Sequence, residues 1–153
     1  MLLFLLLPSL LFAQTQIIKI NSGGPGDQYF TGGIVYTNAK PIAGTEDDVT
    51  YQTERFGNFS YSIPVTNGRY RVNLHFAEIY HTAANARLFD LSVESGQFTR
   101  SGIDLVSLYG VATAGTIVAD NITVSDGFLT LVFVTVKDNA KISAITVDRY
   151  SDS

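Results

Sequence analysis

Apolar and polar residues alternate with a period of two along most of this chain. In residues 59–63, Phe59, Tyr61 and Ile63 alternate with Ser60 and Ser62, the pattern of a strand with one buried face. Residues 70–76 show it more fully. Tyr70, Val72, Leu74 and Phe76 fall on one face, and Arg71, Asn73 and His75 on the other. Ile17, Ile18 and Ile20 open a strand near the front. Further strands are predicted at residues 88–93, 117–124 and 142–147, with a long β-branched one at 128–136. No stretch of about 10–12 residues carries a helical period; the nearest feature is a short turn at residues 82–86. Asn21-Ser22-Gly23-Gly24-Pro25-Gly26 is loop chemistry. Asn67-Gly68 is the strongest short hairpin signal, and Asp126-Gly127 marks a second turn. Short strands joined by turns predict an all-β fold, a two-sheet antiparallel β-sandwich of jelly-roll type. Its core should include Tyr70, Val72, Leu74, Phe76, Phe89, Leu91, Leu131 and Phe133.

The first 13 residues differ in kind. They are almost wholly apolar, end in the small Ala13, and are too few for a membrane span of about 20 residues. They fit the apolar region of a secretory signal cleaved after Ala13. The predicted organisation is a signal peptide at 1–13 and one domain at 14–153, placed outside the cell or in its envelope. With no Cys there is no disulfide, thiol nucleophile or Cys-based zinc site. The net charge is −4 and the 10 Lys and Arg are scattered, which argues against nucleic acid as a partner.

The residues offer little for catalysis. A metal site needs three or four converging ligands, and Asp27, Asp47, Asp48 and His81 are far apart in sequence. No metal or cofactor is expected. There is no G-x-S-x-G nucleophile elbow. Glycoside hydrolysis needs two carboxylates facing each other across the bond. Glu54, Glu78, Asp90 and Asp138 are of the right type, but no pair stands out. Glu46-Asp47-Asp48 reads as a solvated loop, and His75 as a surface strand residue.

The aromatics suggest more. There are 8 Tyr and 10 Phe. Sugars present apolar C–H faces that stack on rings, and hydroxyls that take polar partners. Tyr36 beside Thr37-Asn38, Phe56 beside Gly57-Asn58, and Tyr80 beside His81-Thr82 read as loop-borne aromatics. Each by itself is open between a packing role and a ligand contact.

A string of motifs narrows the reading. In order they are Ile20-Asn21-Ser22-Gly23-Gly24, Tyr51-Gln52-Thr53-Glu54-Arg55-Phe56, Phe59-Ser60-Tyr61, Asn67-Gly68-Arg69-Tyr70, Leu74-His75-Phe76-Ala77-Glu78-Ile79-Tyr80, Arg87-Leu88-Phe89-Asp90-Leu91-Ser92-Val93, and Asp138-Asn139-Ala140-Lys141-Ile142-Ser143-Ala144-Ile145. With these the chain resembles the malectin family, its bacterial module branch in particular. The resemblance implies a sandwich with a loop-borne sugar site at one end, built from Tyr36, Phe56, Tyr80, His81 and Asp138. Phe56 lacks a hydroxyl at its position, and His81 stands where the family carries a larger aromatic.

The function this implies is a lectin or carbohydrate-binding module for glucose-containing oligosaccharides. An alternative is an extracellular module that binds a protein or peptide, and a third is a cryptic glycosidase. Glu54, Arg55, Glu78 and Arg87 either form a network that holds the loops or touch the sugar directly. Two sequons, Asn58-Phe59-Ser60 and Asn121-Ile122-Thr123, matter only in a host that glycosylates. A glycan on Asn58 would sit close to Phe56.

Overall fold

The structure, a computed structural model, describes residues 13–151. Of the predicted signal peptide, all but Ala13 lies outside the described residues. The elements in order are β1 (Gln14–Asn21), β2 (Phe30–Thr37), α1 (Asp48–Tyr51), β3 (Thr53–Pro64), β4 (Gly68–Phe76), β5 (Leu88–Val93), β6 (Phe98–Ile103), α2 (Leu105–Tyr109), β7 (Gly115–Val124), β8 (Phe128–Lys137), β9 (Ala140–Ile142) and β10 (Ala144–Tyr150). Strands β1, β10, β4 and β7 form one antiparallel sheet in that order. Strands β2, β3, β8, β5 and β6 form the other, and β9 pairs with the start of β3. The all-β sandwich predicted from the two-residue period is therefore present, and the chain turns at Ala84 and Asn85 within the expected 82–86 segment.

The core lies between the sheets. All eight predicted core residues are buried, none more than 2% exposed. Phe59 and Phe133, opposite each other on β3 and β8, stack with ring centroids 4.5 Å apart. Tyr61, Ile63, Leu129 and Ile145 extend the same cluster. With no disulfide to restrain it, the fold is held by this apolar burial, worth roughly 25 cal/mol per Å² removed from water.

The turns differ from the hairpin expectation. Asn67-Gly68 does not close a hairpin: β3 and β4 belong to opposite sheets, so the chain crosses the sandwich there. Asp126-Gly127 carries β7 to β8 across it as well. The two crossings are laced together, Val65 N–H donating to the Gly127 carbonyl at 3.0 Å and Gly127 N–H to Asn67 Oδ1 at 2.8 Å. Turn chemistry reverses the chain but does not choose the sheet the next strand joins. At this same end Gln14 pairs with Tyr150, and Ser151 N–H donates to the Ala13 carbonyl at 2.8 Å.

Ile17, Ile18 and Ile20 lie on β1 as expected, and a bulge between Gln16 and Ile18 leaves Ile17 exposed. Two further expectations change. His75 is half-buried rather than a bare surface residue. Its Nε2 lies 2.9 Å from Thr146 Oγ1, and its Nδ1 lies 3.3 Å from the Tyr51 hydroxyl on α1. The Glu46-Asp47-Asp48 segment is also ordered by its carboxylates. Asp47 caps α1 by accepting from Thr50 N–H, and Asp48 accepts from Ile42 N–H.

Candidate functional site

The strand registers place the start of β3 and the ends of β2, β4 and β8 at the end of the sandwich away from the crossings. Tyr36 and Phe56 lie there on strands β2 and β3, not on loops as their polar neighbours suggested. In the β2–β3 register Tyr36 faces Glu54 and Ile34 faces Phe56. Opposed residues of an antiparallel pair point to the same side, so Tyr36, Glu54 and Phe56 share a face. Lys141, opposite Phe56 on β9, joins them. Gly23 lets the preceding loop press against this strand. A Cβ there would come within 2.4 Å of the Glu54 carbonyl oxygen, and the φ of +77° favours glycine in any case.

Tyr80 and His81 follow β4 in an irregular segment, and Asp138 sits in the turn between β8 and β9. Asp138 and Asn139 both take the left-handed conformation, φ 50° and 69°, which Asp and Asn tolerate best among residues with a side chain.

Arg87 binds these two segments to each other. Its Nε donates to Glu78 Oε2 at 2.6 Å and its Nη2 to Glu78 Oε1 at 3.2 Å. Its Nη1 donates to the carbonyls of Asp138 and Asn139, both at 2.8 Å. Glu78 Oε1 in turn accepts the main-chain N–H groups of Tyr80 and His81. Behind them Lys141, fully buried, donates to Glu54 Oε1 at 2.9 Å and to the Ala77 carbonyl. Burial acts to raise the pKa of Glu78, but the Arg87 hydrogen bond and the Lys141 charge outweigh it and hold the carboxyl below its usual range. Burial dominates in the second pair, pushing Glu54 up and Lys141 down.

These groups enclose a cleft of about 230 Å³ lined by Tyr36, Glu54, Phe56, Tyr80, Arg87, Asp138 and Asn139. The Tyr36 and Tyr80 rings meet edge to face, 5.8 Å apart at 82°, and Tyr80 is 62% exposed. Four of the five predicted site residues thus line one cleft. His81 is not in its wall. It binds the Asp138 carboxylate through Nε2 and packs edge to face on Tyr80, centroids 4.9 Å apart.

The four charged motif residues divide. Glu54 and Arg87 face the cleft and Glu78 stands behind Arg87. Arg55 lies elsewhere, paired with Asp27 at 3.0 Å and stacked on the Phe30 ring. Asn139 in the wall and Lys141 beneath it escaped the sequence reading. Their signal was the Asp138-Asn139-Ala140-Lys141 motif, whose Asp alone was singled out.

Residues 17–145 match the Malectin domain family model. Among curated relatives, the kinesin-like protein KIN-14Q of Arabidopsis thaliana is 33% identical over 115 residues, 66% of this chain but 9% of that protein. Malectin-B of Xenopus laevis is 38% identical over 72 residues, 45% of this chain and 26% of that protein. The match thus spans a minor part of each relative. Among solved structures, the plant receptor-like kinase ANX2 superposes with a TM-score of 0.76 at 14% identity, over 91% of this chain and 49% of that one. A Bacteroides uniformis beta-glucuronidase superposes at 0.72 and 16% identity, over 92% and 18%. At these identities the structural likeness speaks for the fold alone. The family match covers most of the chain and agrees with the sandwich and the order of its motifs: this chain belongs to the malectin domain family.

Proposed function

We propose that this domain is a carbohydrate-binding module, not an enzyme, and that its cleft takes a short glucose-containing oligosaccharide. The observation that carries this reading is the convergence of Tyr36, Phe56 and Tyr80 with Asp138 in one cleft. The rings offer flat apolar surface for the C–H faces of a sugar. The Asp138 carboxylate is an acceptor for hydroxyls and stays partly open to solvent. Asp90 holds the Gly102 N–H, while Glu54 and Glu78 are tied to Lys141 and Arg87. Each of these carboxylates, and Asp138 through His81, already holds a partner, which supports binding over glycoside hydrolysis by a pair of carboxylates across a bond.

The apolar run of the first 13 residues, too short for a membrane span and ending in the small Ala13, supports export. Calorimetric titration with maltose, nigerose and longer glucans tests the function. Saturable binding that depends on Tyr80 and Asp138 is expected. No binding to any glycan would overturn the proposal in favour of a protein-binding module.

A further inference from the structure

The network under the cleft has hydrogen-bonding capacity that the protein does not use. Glu54 gives Oε1 to Lys141, but no group among the described residues donates to Oε2, and Oε2 is not sealed inside the protein either. Glu54 is 1% exposed and lines the cleft, so the little surface it keeps opens there. Arg87 is in the complementary position. A guanidinium carries five N–H donors. Two of those on Arg87 go to Glu78 and two to the carbonyls of Asp138 and Asn139, which leaves one on Nη2. Arg87 is 6% exposed and also lines the cleft.

A carboxylate oxygen and a guanidinium N–H lining one cleft, on residues both nearly buried, specify a ligand group. An apolar group would leave both unmet, at a desolvation cost. A carboxylate would meet the Glu54 charge, and an ammonium has no lone pair for Arg87. A hydroxyl both donates and accepts through one oxygen. Resting on the carbohydrate-binding reading above, we propose that Glu54 and Arg87 form a polar floor that reads one sugar hydroxyl. The hydroxyl donates to Glu54 Oε2 and accepts from the spare Nη2–H of Arg87, while a different hydroxyl goes to Asp138 at the rim. Lys141 and Glu78 are positioning residues: each occupies one side of its partner and leaves the other side turned to the cleft. Aromatic stacking tolerates many sugars, so this floor is what discriminates among them.

The test uses the full chain, calorimetry with maltose and nigerose, and then each monodeoxy analogue of the tighter binder. Wild type, Asp138→Gly and Glu54→Gln are compared, with thermal melts to establish folding. In wild type two different hydroxyls should each cost at least about tenfold in affinity when removed. One of these losses should vanish in Asp138→Gly. The other should persist there and vanish in Glu54→Gln, the coupling expected of groups in contact. A second loss that is the same size in Glu54→Gln as in wild type overturns the proposal. Should Glu54→Gln fail to fold, the Asp138→Gly data decide: no costly hydroxyl surviving in that variant also overturns it. Binding by wild type with neither signature sinks this inference alone, whereas no binding of either disaccharide sinks the carbohydrate reading with it.

Discussion

Arg87 grips Glu78 with Nε 2.6 Å from Oε2 while its far nitrogen, Nη1, holds two main-chain carbonyls of another segment. The pair is buried, so removing one partner strands the other charge. Arg87→Ala should cost about 3–5 kcal/mol of stability, read as a lowered denaturation midpoint. Arg87→Lys should recover only part of it, because an ammonium cannot reproduce the planar fork. A variant as stable as wild type would show that the segments do not depend on this pair.

Tyr80→Ala and Asp138→Gly should each weaken glycan binding at least tenfold, about 1.4 kcal/mol, by calorimetric titration. Both should leave the fold intact. Tyr80 is mostly exposed, and glycine suits the φ of 50° at position 138. Melting points should move by less than about 0.5 kcal/mol equivalent for Tyr80→Ala, as for surface substitutions generally. Unchanged affinity in both variants would place the ligand elsewhere.

The core was legible in the sequence because a two-residue period states directly which side chains face inward. Tyr70, Val72, Leu74 and Phe76 needed no knowledge of neighbouring strands. The site was legible only in part. Tyr36 and Phe56 read as loop residues because Thr37-Asn38 and Gly57-Asn58 beside them are residues that a core strand avoids, yet both strands run through these positions, with a register shift at Gly32 in β2 and a φ of 113° at Gly57 in β3. Lys141 was hidden for another reason. A buried lysine depends on a carboxylate 87 residues away, and no local pattern announces such a partner. The sheet crossing at Asn67-Gly68 is equally non-local.

Acid should destabilise the domain partly through His75. Burial is the main cause of its lowered pKa, with Lys19 adding to it and Asp148 opposing. A depressed histidine favours the neutral form in the folded state. Its contribution is therefore full above the ordinary value of about 6.5 and is lost as pH falls through the lower folded value. His75→Gln should flatten the fall in stability just below pH 6.5, measured by denaturant titration across pH. An identical slope in both proteins would rule out this contribution.

Gly23→Ala should reach the cleft without being part of it. Its new Cβ would press on the Glu54 carbonyl, and alanine is strained at that φ. The cost should exceed about 1 kcal/mol, and displacement of Glu54 should weaken glycan binding as well. Stability and affinity falling together would link the Gly23 loop to the cleft floor; a fall in stability alone would separate them.

Because Gln14 pairs with Tyr150, the first and last strands of the described chain bring their outer ends side by side, at the end remote from the cleft. A unit of this kind is portable. It can be spliced into the surface loop of a host without prying the host's chain apart, since the two junctions already lie side by side. A host joined at that end would meet the fold on the side opposite Tyr36, Phe56 and Tyr80.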